Sequence, residues 1–184
     1  MILCGIDEAG RGCLAGPMAI AGVVLKSPIE GLEDSKKLTP KRRFELAAII
    51  KANALFHIAL FSAGEIDENG LSGCLRSGLR QIKAAIKADR YLYDGVCAYG
   101  VDGIDVLAKA DASVKEVAAA SILAKTAKDA ALLKLAERYT QYGFEKHQGY
   151  GVKAHLAAIN KYGLTPFHRR SFKGCKQEAI DLFR

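Results

Sequence analysis

The chain reads as an α/β protein built on one mixed sheet. Three short apolar runs surround a first helix, and further helix and strand segments alternate after them. No apolar run approaches the roughly 20 residues that a bilayer-spanning helix needs. Strands interleaved with helices imply helices laid on a sheet, because each amphipathic stripe must be buried against another layer.

Residues 2–6 and 19–25 are apolar runs bounded by glycines and prolines, and 55–61 is rich in apolar and aromatic side chains; all three read as strands. Thr39 offers an N-cap and Pro40 a first-turn proline, opening an amphipathic helix that extends to residue 52. A second helix covers 71–87. Residues 90–94 and 104–107 read as two more strands, the latter interrupted by Asp105. From Ser113 the pattern turns helical, with Val117, Ile122 and Leu123 among many alanines, and continues to Tyr139 as the longest helix. Another helix at 152–162 stops at Gly163 and precedes a basic tail with Pro166 and room for a terminal helix. With 184 residues and a hydrophobic share of 50%, the chain has material for one core. A single domain over 1–184 is expected, with 140–184 as its helical C-terminal extension.

Lys and Arg outnumber Asp and Glu by 27 to 20, and the resulting net charge of +7 favours polyanionic partners, nucleic acid first. The five cysteines, Cys4, Cys13, Cys74, Cys97 and Cys175, are scattered and never spaced C-x-x-C, which argues against a disulfide framework or zinc knuckle. Cys4 and Cys97 stand among apolar residues and read as core fillers suited to a reducing compartment. The start at Ile2, Leu3, Cys4 and Gly5 carries no basic leader, so a soluble, cytoplasmic protein is expected, by default a monomer.

The chemistry concentrates where strands end. Asp7 and Glu8 follow the first strand and precede Gly10, Arg11 and Gly12; Asp94 ends a later strand before Gly95. Open α/β sheets place ligands at such edges. If the two strands are parallel neighbours, Asp7 and Asp94 emerge side by side. Asp111, ahead of the long helix, either caps that helix or faces the same cleft. Four acids in one cleft repel one another unless cations join them, and hard oxygen ligands suit Mg2+ or Mn2+. A pair of such ions supports in-line phosphoryl displacement, chemistry that accords with the basic field.

Seven segments in order carry a resemblance over nearly the whole chain: GIDEAGRGCLAGP from Gly5, DSKKLTPKRR from Asp34, YDG from Tyr93, KAD from Lys109, AAASILAK from Ala118, HQGYG from His147 and PFHRRSF from Pro166. In these the chain resembles the bacterial type 2 ribonucleases H. The resemblance implies a ribonuclease H-like fold, a central five-stranded mixed sheet flanked by helices, with a small helical C-terminal part. It implies hydrolysis of the RNA strand of RNA/DNA hybrids and incision of duplex DNA beside embedded ribonucleotides, leaving a 3′-hydroxyl and a 5′-phosphate. By position, Asp7, Glu8, Asp94 and Asp111 match the family's metal-binding catalytic acids, served by two Mn2+ or Mg2+ ions with substrate bound. Gly10, Arg11 and Gly12 match the loop that senses the 2′-hydroxyl, the group that separates RNA from DNA. Tyr150 matches the tyrosine that packs on the next deoxyribose. Ser35, Lys36 and Lys37 match backbone-phosphate contacts, and Lys125 is a further residue that could face substrate.

His147, His155 and His168 fit no zinc spacing, and His168 with Arg169 matches a stretch expected to serve a structural or phosphate-contacting role. Departures from the family pattern fall at Gln148 and Val152, where lysine and threonine are usual, at Gly70 in place of asparagine, and at Thr126 and Lys128 in place of valine and arginine. No clear clamp-binding peptide closes the chain at Leu182, Phe183 and Arg184. Two other classes compete. Sugar-kinase and actin-like ATPases also carry an early strand Asp near glycines, but need phosphate loops missing here. A non-catalytic nucleic-acid binder would account for the charge but not for acids at strand ends, which repel phosphate unless metal intervenes.

Overall fold

A computed structural model of the chain describes residues 1–32 and 38–176. Ser35, Lys36 and Lys37, and the terminal helix expected near the end of the chain, fall outside the described residues. Five strands, β1 (Leu3–Ala9), β2 (Met18–Leu25), β3 (Ala54–Phe61), β4 (Arg90–Tyr93) and β5 (Asp105–Val106), form one sheet in the order β3-β2-β1-β4-β5. The first three pair antiparallel, whereas β4 runs parallel to β1 and β5 parallel to β4. The mixed five-stranded sheet is the one expected.

β1 is longer than its apolar run. It continues past Ile6 because β2 pairs with its polar end, Asp7 opposite Ala21, Glu8 opposite Ile20 and Ala9 opposite Ala19. The two acids therefore lie inside the paired strand and not beyond it, a correction to the sequence expectation.

The helices are α1 (Pro40–Asn53), α2 (Ala63–Ala85), α3 (Lys115–Arg138), the short α4 (Phe144–His147) and α5 (Lys153–Tyr162). Thr39 caps α1 as expected, its side chain accepting the Arg42 N–H at 3.2 Å. α2 begins well before residue 71, since Ser62 and Glu65 form a reciprocal capping box that satisfies two orphan donors. Gly70, with φ 69° and ψ 164°, interrupts it, so the helix anticipated from Leu71 is the segment after the break.

Alternation along β2 sorts the core. Met18, Ile20 and Val24 face a cluster with Leu75, Leu79 and Ile82 of α2, while Ala19, Ala21 and Val23 face Leu46 and Ile50 of α1 and the alanines 118–120 of α3. α3 lies directly on β1: a Cβ at Gly5 would sit 2.3 Å from backbone atoms of Glu116 and Val117. A third cluster joins Leu14 and Leu132 to Tyr142, Phe144, Ala158, Ile159 and Cys175, docking the C-terminal helices on the second half of α3. Cys4 is buried as expected, but Cys97 is exposed, because the chain leaves the sheet after β4 in a loop that places it outside the core. All five cysteines are free. Among the described residues no helix is long and apolar enough to cross a membrane.

Val152 occupies the N-cap of α5 in extended conformation, φ −78° and ψ 161°, with no side-chain hydrogen bond to the first turn. Val152→Thr is expected to supply the missing cap and stabilise the fold by about 1 kcal/mol, read as a rise of roughly 2–4 °C in Tm. An unchanged or lower Tm would contradict this account of α5.

Candidate active site

Parallel pairing of β1 with β4 sets Ile6 opposite Tyr93, so the next residues, Asp7 and Asp94, stand beside each other. The Asp94 N–H donates to the Ile6 carbonyl at 2.9 Å, extending the ladder by one bond. Asp94 then organises the segment after β5. Its Oδ1 accepts the Lys109 N–H at 2.7 Å, and its Oδ2 lies 3.5 Å from the Asp111 N–H. Lys109 adopts φ 61°, the left-handed region, and the following 3₁₀ turn, Ala110–Ala112, turns Asp111 inward. α3 starts only at Lys115 with Val114 as its N-cap, so Asp111 does not cap it; its carboxylate stands instead beside those of Asp7 and Asp94.

Asp7, Asp94 and Asp111 each offer a carboxylate oxygen within 4.8 Å of the others. Asp7 and Asp111 are buried. Burial, reinforced by the charges of Glu8 and Asp94, holds the Asp7 carboxyl well above the usual carboxylate range, against the opposing hydrogen bond from Ser121 of α3. Such a group is ionised at neutral pH only at a cost, which a cation among the three oxygens removes. Three hard oxygen donors in this arrangement fit a divalent ion of the Mg2+ or Mn2+ type.

Glu8 stands apart from the three. Neighbouring strand residues point to opposite sheet faces, and the Glu8 carboxylate meets the Tyr93 hydroxyl at 2.6 Å and Arg11 Nη1 at 3.2 Å. Burial raises its pKa, and these two partners oppose the shift. Glu8 nevertheless lines the same cleft, of about 350 Å3, with Asp7, Asp94, the 10–12 loop, Ser121, Lys125 and Tyr150.

The loop after β1 folds back on the C-terminal segment. Gly10 has φ 91°, and a Cβ there would press on the Pro17 carbonyl at 3.0 Å, so glycine is required on both counts. Above Gly12 the space is open, leaving its backbone approachable. Leu14 and Ala15 both donate to the Gly149 carbonyl, and Cys13 bridges to Tyr150. Arg169 is fully buried. Its Nε and Nη2 donate to the Gly16 carbonyl and its Nη1 to the Arg11 carbonyl at 3.0 Å, so it ties down the loop and does not reach for phosphate. His147, His155 and His168 meet as packed rings, 4.4 Å between the first two centroids. Burial and the neighbouring His155 push the His168 pKa down to about 4. This cluster is structural, with the ring nitrogens of His155 and His168 directed at each other 3.1 Å apart.

Several contributors were missed by reasoning from residue type. Ser121, Tyr93 and Cys13 touch the acids or Tyr150, yet serine, tyrosine and cysteine at those positions carry no spacing signal; only the AAASILAK, YDG and GIDEAGRGCLAGP segments that contain them flagged their neighbourhood. Of the departures, Gln148 accepts a hydrogen bond from Lys125 at 2.9 Å, and Gly70 breaks α2 where an added Cβ would meet open space.

Comparison with known proteins adds a family to this geometry. The Ribonuclease HII family model matches residues 4–175. The ribonuclease HII of Sulfurovum sp. is 56% identical over 171 residues, covering 93% of this chain and 91% of its own, and that of Campylobacter concisus is 53% identical over 92% of each. Among solved structures, the complex of PCNA with RNase HII from Archaeoglobus fulgidus contains a chain that superposes with a TM-score of 0.82 at 26% identity, over 98% of this chain and 99% of that one. A five-stranded sheet with acids at the β1–β4 junction, matched over nearly its whole length, means that the chain belongs to the ribonuclease HII family and is a hydrolase of the ribonuclease H type.

Proposed function

We propose that this protein is an endoribonuclease that hydrolyses the RNA strand of RNA/DNA hybrids. We also assign it the incision of duplex DNA on the 5′ side of an embedded ribonucleotide, leaving 3′-hydroxyl and 5′-phosphate ends, by two-metal-ion catalysis. The observation that carries this is the trio of Asp7, Asp94 and Asp111 oxygens within 4.8 Å of one another, with Asp7 and Asp94 lining a cleft together with Gly10, Arg11, Gly12 and Tyr150.

Asp7, Asp94 and Asp111 would hold the ions, with Glu8 completing the acidic set from the other side of the strand. Bound Mg2+ or Mn2+ would supply charge to activate water and to stabilise the leaving 3′-oxygen. The remaining work belongs to the chain. Ser121 orients Asp7, the Lys109–Asp111 turn orients Asp94, and Tyr93 with Arg11 keeps Glu8 from swinging freely. The open backbone at Gly12 admits a sugar edge closely, where the 2′-hydroxyl is available for hydrogen bonding. Tyr150, 41% exposed at the cleft, offers an aromatic surface to the next sugar, and Lys125 brings positive charge to the same wall. Ser35 and Lys36 would contact the phosphate backbone. The net charge of +7 draws the duplex in, and its effect will weaken with salt.

The decisive assay uses a DNA duplex with one ribonucleotide. Nicking on its 5′ side with Mg2+ or Mn2+, and none with EDTA, is expected; an intact duplex with metal present would end the incision assignment. Asp94→Asn should lower cutting by roughly a hundredfold or more. The same change removes one of the charges that raise the Asp7 pKa. A raised carboxylate pKa costs stability above the folded value and nothing below the unfolded one. At neutral pH the metal-free variant should therefore be at least as stable as the native protein, while losing the Tm gain on adding Mn2+. Retained cutting or a retained Tm gain would contradict the metal assignment. Tyr150→Ala is expected to reduce incision at single ribonucleotides more than cleavage of continuous hybrid, measured as a ratio of kcat/KM values; equal losses would remove Tyr150 from junction recognition.

A further inference from the structure

Behind Tyr150 lies a charge that the acids do not explain. Lys128 of α3 is 0% exposed. Its Nζ stands 3.0 Å from Asp129 Oδ1 but lacks a well-directed hydrogen bond among the described residues, and lies 4.9 Å from the centroid of the Tyr150 ring. A buried ammonium is costly unless an ion pair and a ring face replace water, whereas an apolar side chain would fill the space without that cost. Solvent reaches Tyr150 but not Lys128, so the ammonium supports the ring from the protein side while the ring faces the cleft.

The same lysine underlies the glycine loop. A Cβ on Gly10 would meet its Cδ at 3.1 Å and its Cγ at 3.2 Å. Tyr150 and Cys13 bridge through their backbones, and the Cys13 thiol donates to the Gln148 carbonyl at 3.4 Å, so ring and loop form one unit resting on Lys128. Asp129 anchors that support: it also pairs with Lys125 at 3.2 Å and with Arg43 of α1 at 3.6 Å.

We propose that Lys128 is a positioning residue that fixes the Tyr150 ring relative to Gly10, and so sets how strongly the enzyme prefers a ribonucleotide followed by deoxyribose over continuous RNA. This rests on the ribonucleotide-incision function proposed above. The spacing between ring and loop is the quantity a junction would read. A wandering ring would leave metal binding and phosphate contacts in place but blur the distinction between sugars.

The test compares kcat/KM on a single-ribonucleotide duplex and on a continuous RNA/DNA hybrid for the native protein, Lys128→Met, Lys128→Arg, Tyr150→Ala and the Lys128→Met/Tyr150→Ala double variant. Lys128→Met should lower the ratio of the first substrate to the second about tenfold. Lys128→Arg, which keeps the cation over the ring, should restore most of the ratio. In the Tyr150→Ala background the methionine should change the ratio no further, because the lysine acts through the ring. Equal losses on both substrates, or fully additive losses in the double variant, overturn the proposal. Lys128→Gln replaces the methionine if circular dichroism shows that variant unfolded, and failure of both to fold would make Lys128 a core ion-pair residue and overturn the positioning role. A native protein that cuts hybrid but leaves the single-ribonucleotide duplex intact refutes incision itself, an outcome distinct from an unmoved ratio.

Discussion

The contact of α3 with β1 at Gly5 is the constraint from which the site follows. A side chain there would collide with the backbone of Glu116 and Val117, so the helix lies against the strand only because residue 5 has none. The alanines 118–120 continue the close approach along the sheet. With the helix held that near, Ser121 reaches Asp7, and the turn leading into α3 carries Asp111 over the β1–β4 junction. Lifting the helix by the size of one methyl group would separate Asp111 and Ser121 from strand-borne Asp7 and Asp94 together.

The pleat of β1 then divides the acids. Asp7 shares its face with Asp94 and Asp111, where burial and like charge favour a cation, while Glu8 lies across the strand with a tyrosine hydroxyl and an arginine. The same residue type thus meets two electrostatic settings one position apart. Around this centre the loop from Gly10 to Gly16 is held from three sides: by Arg169 through its carbonyls, by Gly149 through its amides, and by Lys128 from beneath. A loop fixed at this many points can present glycine backbone to the cleft without losing its shape.

Much of this was legible in residue order. Strand and helix periodicity located all five strands and the main helices, because alternation and the 3.6-residue stripe are local consequences of burial on one face. Two of its errors had non-local causes, at β1 and at Cys97, and one, at α2, had a local cause. β1 ran on through two acids because β2 supplied hydrogen-bond partners there, and α2 started early because a capping box outweighed a glycine break seven residues on. Cys97 read as core from its apolar neighbours, yet a loop departing from a sheet edge carries it outward whatever its polarity. The three histidines have no metal spacing, and only the packing of α4, α5 and the final loop brings their rings together.

Sequence alone determined the fold class, the identity of the acids at Asp7, Glu8, Asp94 and Asp111, and the family resemblance, since these reside in residue type and local order. Tertiary structure decided which acids share a face, that Asp111 stands beside Asp7 and Asp94 and not at the α3 terminus, that Arg169 clamps a loop, and that Lys128 lies beneath Tyr150. Those outcomes depend on distances between residues far apart in the chain. Such distances are set by how closely α3 can approach β1, a property of packing that no single segment carries.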